Sequence, residues 1–211
     1  SQSIDWCRVT AETAAEIISS ELDPIRMKAE DAGTKTFRCL VADDTPFKRD
    51  RSSEVEKAVK CYDHAAHSFF NGFRDLHLVY TDGISTIPVS HCLMSEQIEE
   101  SRERCHMQMN DALFDMVADC QIAGIRADYL LFDSWFGNPK DIKRGTAMGY
   151  DVICMLKKAK TKYLTEEGRS MTVKSIFSSS KKRRGRSRYL LSTVVTLPDS
   201  SQKARLVFVR N

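Results

Sequence analysis

Two short apolar runs in this chain each end in a carboxylate, Phe37-Arg38-Cys39-Leu40-Val41-Ala42-Asp43-Asp44 and Ala127-Asp128-Tyr129-Leu130-Leu131-Phe132-Asp133. Both are rich in β-formers and too short for a core helix, so each reads as a buried strand. A carboxylate at the exit of a buried strand is well placed for chemistry, because ligands of open α/β sheets sit outside the carboxyl ends of the strands. Neighbouring strands lie about 4.8 Å apart. Two Asp side chains at such neighbours can share hard cations such as Mg²⁺, which take oxygen ligands. That is half of a two-metal phosphoryl-transfer site.

The rest of the chain supplies elements for an α/β sheet. Residues 1–36 read as a helical segment capped by Thr10 and interrupted by Pro24. The first strand, 37–44, is followed by a helix from about Ser53 to Gly72, with Val55, Val59, Tyr62, Ala66 and Phe69 at spacings of three and four. Residues 76–80 and 86–90 flank Asp82-Gly83, a strong hairpin signal. A long helix capped by Ser95 is expected over 96–121. Strand 127–133, a short helix opened by Asn138-Pro139, and strand 151–156 complete a core. A hairpin after strand 1 and right-handed crossovers to strands 4 and 5 give the order 3-2-1-4-5. This is a ribonuclease-H-like mixed five-stranded sheet with helices on both faces. It sets strands 1 and 4 parallel and side by side. Beyond it, strands around a turn at Glu167-Gly168 and at 189–197 and 204–209 form a β-rich insertion. The organisation expected is a helical segment (1–36), a catalytic core (37–157) and the insertion (158–211).

Charge is distributed unevenly. Lys157–Arg188 holds 12 Lys/Arg against 2 Glu, in a chain whose net charge is only +3. A concentrated basic segment on an otherwise acidic chain points to a polyanion partner, a solvated loop being the plain alternative. Seven scattered cysteines without a Cys-x-x-Cys pair read as free thiols of a reducing compartment. Cys61, His64 and His67 carry metal-ligand chemistry, but at that spacing they drift round a helix. No apolar stretch approaches the roughly 20 residues of a membrane span.

Taken in order, Val41-Ala42-Asp43-Asp44-Thr45-Pro46-Phe47, Cys61-Tyr62-Asp63-His64, Gly72-Phe73-Arg74, Tyr80-Thr81-Asp82-Gly83, Ile87-Pro88-Val89 and Leu131-Phe132-Asp133-Ser134-Trp135-Phe136 resemble bacterial insertion-sequence transposases of the Asp-Asp-Glu (DDE) class. The similar group is the one whose core is interrupted by a β-rich insertion, and Lys181–Ser192 resembles that insertion. The resemblance covers about residues 37–211. It implies metal-dependent DNA strand cleavage and transfer, with Mg²⁺ (or Mn²⁺ as substitute) held by Asp44 and Asp133. Asp44 is favoured over Asp43 because the family's first Asp directly precedes Thr. The family's Glu, in a Tyr-Arg-Glu-Lys-type signature, has no counterpart here, so the chain reads as an inactive piece of a longer enzyme. Glu166 and Glu167 fall in a turn of the insertion and are poor substitutes. The partners implied are double-stranded DNA, both transposon ends and target, and a second copy of the protein on that DNA. The location implied is the bacterial cytoplasm at the nucleoid, away from membranes. DNA contacts are expected from Lys157, Lys158, Lys181, Lys182, Arg183, Arg184, Arg186 and Arg188, with Lys48, Arg49, Trp135 and Phe136 as further candidates. Two other readings compete: a receiver-type phosphoacceptor domain using Asp43, Asp44, Asp133 and Lys157, and a DNA-binding remnant without catalysis.

Overall fold

The computed structural model describes residues 6–51, 55, 58–63, 66–94, 107–157 and 159–210. Its main sheet is built from β1 (Cys39–Lys48), β2 (Val59–Asp63), β3 (Ser68–Thr81), β4 (Thr86–Met94), β5 (Tyr129–Phe132) and β6 (Asp151–Cys154). Across the sheet the order is β4-β3-β1-β5-β6. β3 runs antiparallel to both β1 and β4, whereas β1, β5 and β6 are parallel. This is the expected ribonuclease-H-like topology. The antiparallel β3–β4 pair is incompatible with the all-parallel sheet of a receiver domain.

The register of β1 against β5 is fixed at its base by a charged clamp. Arg38, just before β1, donates to Asp128, just before β5, at 3.1 and 2.6 Å. These hydrogen bonds hold the Asp128 carboxyl below its ordinary pKa. Above the clamp, Leu40 and Ala42 pair with Leu130 and Phe132 and with Tyr80 and Leu78, all buried. They face α1 (Trp6–Ile17), α3 (Met109–Ile122) and α4 (Pro139–Ala147), whose Ala14, Leu113, Met116 and Val117 join the same core. Gly145 of α4 lies so close to the sheet that an added Cβ would sit 2.7 Å from Val152 Cγ2. The other face of the sheet carries the cross-strand row Val79, Val41, Leu131 and Ile153. These residues are half-buried to exposed, Ile153 at 54%. Among the described residues, α1, α3 and α4 lie on the Leu40 face.

Several expected boundaries shift. Where a helix was expected over 53–72, the described residues form β2 and the start of β3, and residues 53, 54, 56, 57, 64 and 65 lie outside the described residues. Val59, Tyr62 and Phe69 do recur at helical spacing, but Cys61 and Phe70 form a buried cross-strand pair, and pairing with β3 decides the outcome. β1 does not end at Asp44; it continues through Lys48, paired with Gly72 of β3. Thr10 is not a cap but lies inside α1, its hydroxyl donating to the Trp6 carbonyl. Pro24 does not break the segment: a π-type turn (Ile18–Leu22) leads into α2 (Asp23–Asp31), where Pro24 occupies the tolerated first turn. The expected Ser95 cap and the first half of its helix lie outside the described residues, and α3 begins at Met109. Asn138 caps α4 as expected, accepting from the Asp141 N–H at 3.0 Å.

The remaining strands, β7 (Lys162–Thr165), β8 (Ser170–Thr172), β9 (Tyr189–Thr196) and β10 (Lys203–Val209), form a second antiparallel sheet in the order β10-β9-β7-β8. Residues 173–177, expected to extend its hairpin, form helix α5 (Val173–Ser179), capped by Thr172. This sheet docks on α4 and β6. Tyr163, Ile176, Val195 and Leu206 pack with Ile142, Val152 and Cys154. Among the described residues no helix is long and apolar enough to cross a membrane.

The difference in burial between the two faces makes a direct prediction. Leu130→Ala should destabilise this chain by about 2–5 kcal/mol, as full burial requires. Ile153→Ala, on the neighbouring strand but the open face, should cost less than about 1 kcal/mol. Denaturant titration of the two variants measures both, and equal losses would show that the second face is also packed.

Candidate active site

The parallel pairing of β1 with β5 ends at the carboxyl end of β5. Ala42 and Phe132 are the last paired residues, so Asp43 and Asp133 come next, side by side on adjacent parallel strands. Both are exposed. Asp43 Oδ1 accepts from the Asp44 N–H at 2.9 Å, and Asp133 Oδ1 accepts from the Trp135 N–H at 2.7 Å. The second of these bonds closes a local turn that fixes the chain after β5. Gly137 completes this turn against β6. An added Cβ there would sit 1.9 Å from the Met155 carbonyl oxygen, so only glycine lets the loop approach.

Asp44 is in a different environment. Its strand partner, Leu76, is fully buried in the helix-side core, so Asp44 points to that side and Asp43 to the open face. The Asp44 side chain is 8% exposed and ion-pairs with Arg74, Nε to Oδ2 at 2.7 Å. Arg74 also lies over the Trp135 ring at 5.3 Å, and Lys157 lies over the same ring at 4.4 Å. Asp44, Arg74, Trp135 and Lys157 thus form one connected rim, with Trp135 packed against the core. Phe136 is fully buried and closed to a ligand.

Sequence reasoning passes over the open-face neighbours of Asp43. His77 pairs directly with Asp43 and with His91 across the sheet. Asp75 lies within 3.3 Å of His77 and 3.5 Å of His91. Strand parity reveals this row once β3 is given its full length. Among the described residues no group of three His, Cys, Asp or Glu side chains is arranged to hold a metal ion. Cys61 is buried in β2, His64 lies outside the described residues, and His67 follows β2 in a left-handed conformation.

The basic residues divide by location. Lys157 belongs to the rim, and Lys158 lies outside the described residues. Lys181, Lys182, Arg183, Arg184, Arg186 and Arg188 are all exposed on the connection between α5 and β9. Arg210 follows β10 and reaches the same segment, donating to the Gly185 carbonyl. Lys182 lies over Phe177, which stacks on Phe208, so the connection is anchored to the second sheet. Glu167 in the β7–β8 turn pairs with Arg169, and both are exposed.

No curated protein matches the chain. Among solved structures it is similar to the Drosophila P element transposase strand transfer complex, at 10% identity and a TM-score of 0.29 over 84% of this chain and 49% of that one. The chain therefore spans about half the length of that transposase. Residues 24–207, which take in β1 to β6 and nearly all of the second sheet, match the family described as DDE superfamily endonuclease. With the match extending over most of its length, the chain belongs to the DDE superfamily endonuclease family.

Proposed function

We propose that this protein is a DNA transposase of the insertion-sequence type, cleaving and transferring DNA strands with the help of Mg²⁺, for which Mn²⁺ substitutes. Family membership supports the class. One observation carries the site: the parallel β1–β5 register sets two exposed carboxylates side by side at the sheet's carboxyl edge. The pair is Asp43 with Asp133, in place of the Asp44 that the family pattern favours. Asp44 is the poorer ligand because Arg74 already occupies it and its side chain is covered. The donor chemistry suits a hard divalent cation, since carboxylate oxygens are its preferred ligands. Bound there, the cation would polarise a phosphodiester and activate the attacking oxygen.

The protein's own groups position and neutralise. Arg74 holds Asp44, and through Trp135 fixes the turn that carries Asp133. Lys157 stands at the same rim, within reach of a phosphate at the strand ends. The segment 181–188 supplies six exposed cations for the DNA backbone, with Arg210 beside it. Long basic side chains of this kind bind phosphates and confer little sequence preference. Double-stranded DNA, as transposon end and as target, is the partner in this reading. The protein acts as a homodimer at the bacterial nucleoid.

Two experiments test this. Mn²⁺ binding, followed by water-proton relaxation, should fall at least about tenfold in Asp43→Asn and in Asp133→Asn, each of which removes a charged ligand. Asp44→Asn should keep the affinity but lose about 1–3 kcal/mol of stability, because the partly buried Arg74 loses its charged partner. The opposite pattern, with binding lost only in Asp44→Asn, would return the site to Asp44. For DNA, changing the six basic residues of 181–188 to Ser should make the plot of log K against log salt shallower, by about 0.9 for each phosphate the variant no longer neutralises. Coincident slopes for the two proteins would show the segment to be a solvated loop.

A further inference from the structure

Beyond Asp43, β1 runs on beside β3 to Lys48, and past Gly72 β3 continues paired with β2, so a tongue built successively of β1–β3 and β3–β2 extends past the candidate site. Residues paired across antiparallel strands point to the same side. Asp43 pairs with His77 and Phe47 with Phe73, so Phe47 shares the open face with Asp43. Continuing along β3 on the same side come Asn71 and Phe69, paired with Lys60 and Tyr62 of β2.

This face combines exposed rings with cations. Phe47 is 44% and Phe69 62% exposed, unusual for large apolar side chains within paired strands. Arg49 lies over the Phe47 ring at 4.3 Å, and Lys60 lies over the Phe69 ring at 4.9 Å. Tyr62 meets Phe69 edge-on at 5.0 Å. Beside Phe47, a depression of about 420 Å³ is lined by Lys48, Arg49, Asp50 and Arg51. Phenylalanine rings offer no hydrogen-bonding group, so a partner recognised here must present flat apolar faces, and the cations require it to be anionic. Duplex DNA hides its base faces. A single strand presents both bases and phosphates, the combination that aromatic platforms with basic borders bind.

We propose that the open face of this tongue, through Phe47 and Phe69 with Arg49, Arg51 and Lys60, binds unpaired single-stranded DNA leaving the candidate site. The inference rests on the transposase reading for the identity of the nucleic acid. The geometry sets a scale. Phe47 lies four positions along β1 from Asp43, and Phe69 lies four positions along β3 from Phe73, the partner of Phe47. Each step is about 13 Å at strand rise, so a strand held at Asp43 would meet the first ring about 13 Å away and the second about 26 Å away. The face tolerates any sequence, because every base has a face to stack.

Fluorescence anisotropy without divalent metal tests the proposal, using a labelled oligothymidylate of about 15 nucleotides, long enough to span both rings, and a duplex of equal length. Phe47→Ala and Phe69→Ala should each weaken single-strand binding by roughly tenfold to a hundredfold, with duplex binding unchanged within about twofold. Phe69→Trp should retain binding, and its fluorescence should be quenched when oligothymidylate is added. Equal weakening for both DNAs, no weakening for either, or a Phe69→Trp signal indifferent to the single strand would overturn the proposal. The measurement uses no metal, so it fails or succeeds independently of Mn²⁺ binding at Asp43 and Asp133.

Discussion

The parallel pairing of β1 with β5 is the constraint on which the site depends. It is set at one end by the Arg38–Asp128 clamp and along its length by Leu40, Ala42, Leu130 and Phe132. A slip of one residue would turn every side chain of β1 to the other face. Leu40 and Ala42 would leave the core, and Val41 would enter it. The core therefore fixes the register, and the register fixes which carboxylate stands beside Asp133. Asp43 and Asp44 are chemically identical neighbours. Only their faces distinguish them, one open and the other closed under Arg74.

Much of this is legible in the chain. The two apolar runs, the Asp82-Gly83 hairpin and the Asn138-Pro139 helix start are local signals with local causes, and each forms its element where the residues place it, although β1 runs on past its carboxylates to Lys48. The choice between Asp43 and Asp44 is not legible, because a sequence shows alternation but not which side the helices cover. The segment 59–70 misleads for a related reason. Its apolar residues fit a helical period and a strand period alike, and β3 is 14 residues long while β4 pairs only with Arg74–Thr81. The uncovered end of β3 recruits β2. Gly72, which resembles a helix terminator, is a site of close approach: an added Cβ would sit 2.0 Å from the Phe47 carbonyl oxygen.

The same ambiguity conceals the tongue. In a helix over 53–72, Phe69 belongs to a buried stripe, and Phe47 falls in a loop. With β1 and β3 extended, both rings lie on the face that Asp43 shares. In the proposed reading the carboxylates stand at the sheet's edge with the rings and cations beyond them, while the basic connection 181–188 belongs to the second sheet.

Electrostatics ties these parts together. Asp43 pairs with His77 and Asp75 with Thr45 on the open face, and Asp133 follows the end of the β1–β5 pairing; in the proposed reaction these carboxylates would repel a DNA phosphate. Arg74 does not offset this, since its charge is already matched by Asp44 at 2.7 Å. In that reading relief would come from a bound cation or from Lys157, which is exposed on the rim. Its interaction with the Trp135 ring is worth only about 0.5–1 kcal/mol at an exposed site, whereas a charge-assisted hydrogen bond contributes about 1.5–3 kcal/mol. A phosphate arriving at the strand ends would draw Lys157 off the ring. The Asp44–Arg74 pair, nearly covered, would stay in place and keep Trp135 and the Asp133 turn fixed while the charge around them changes.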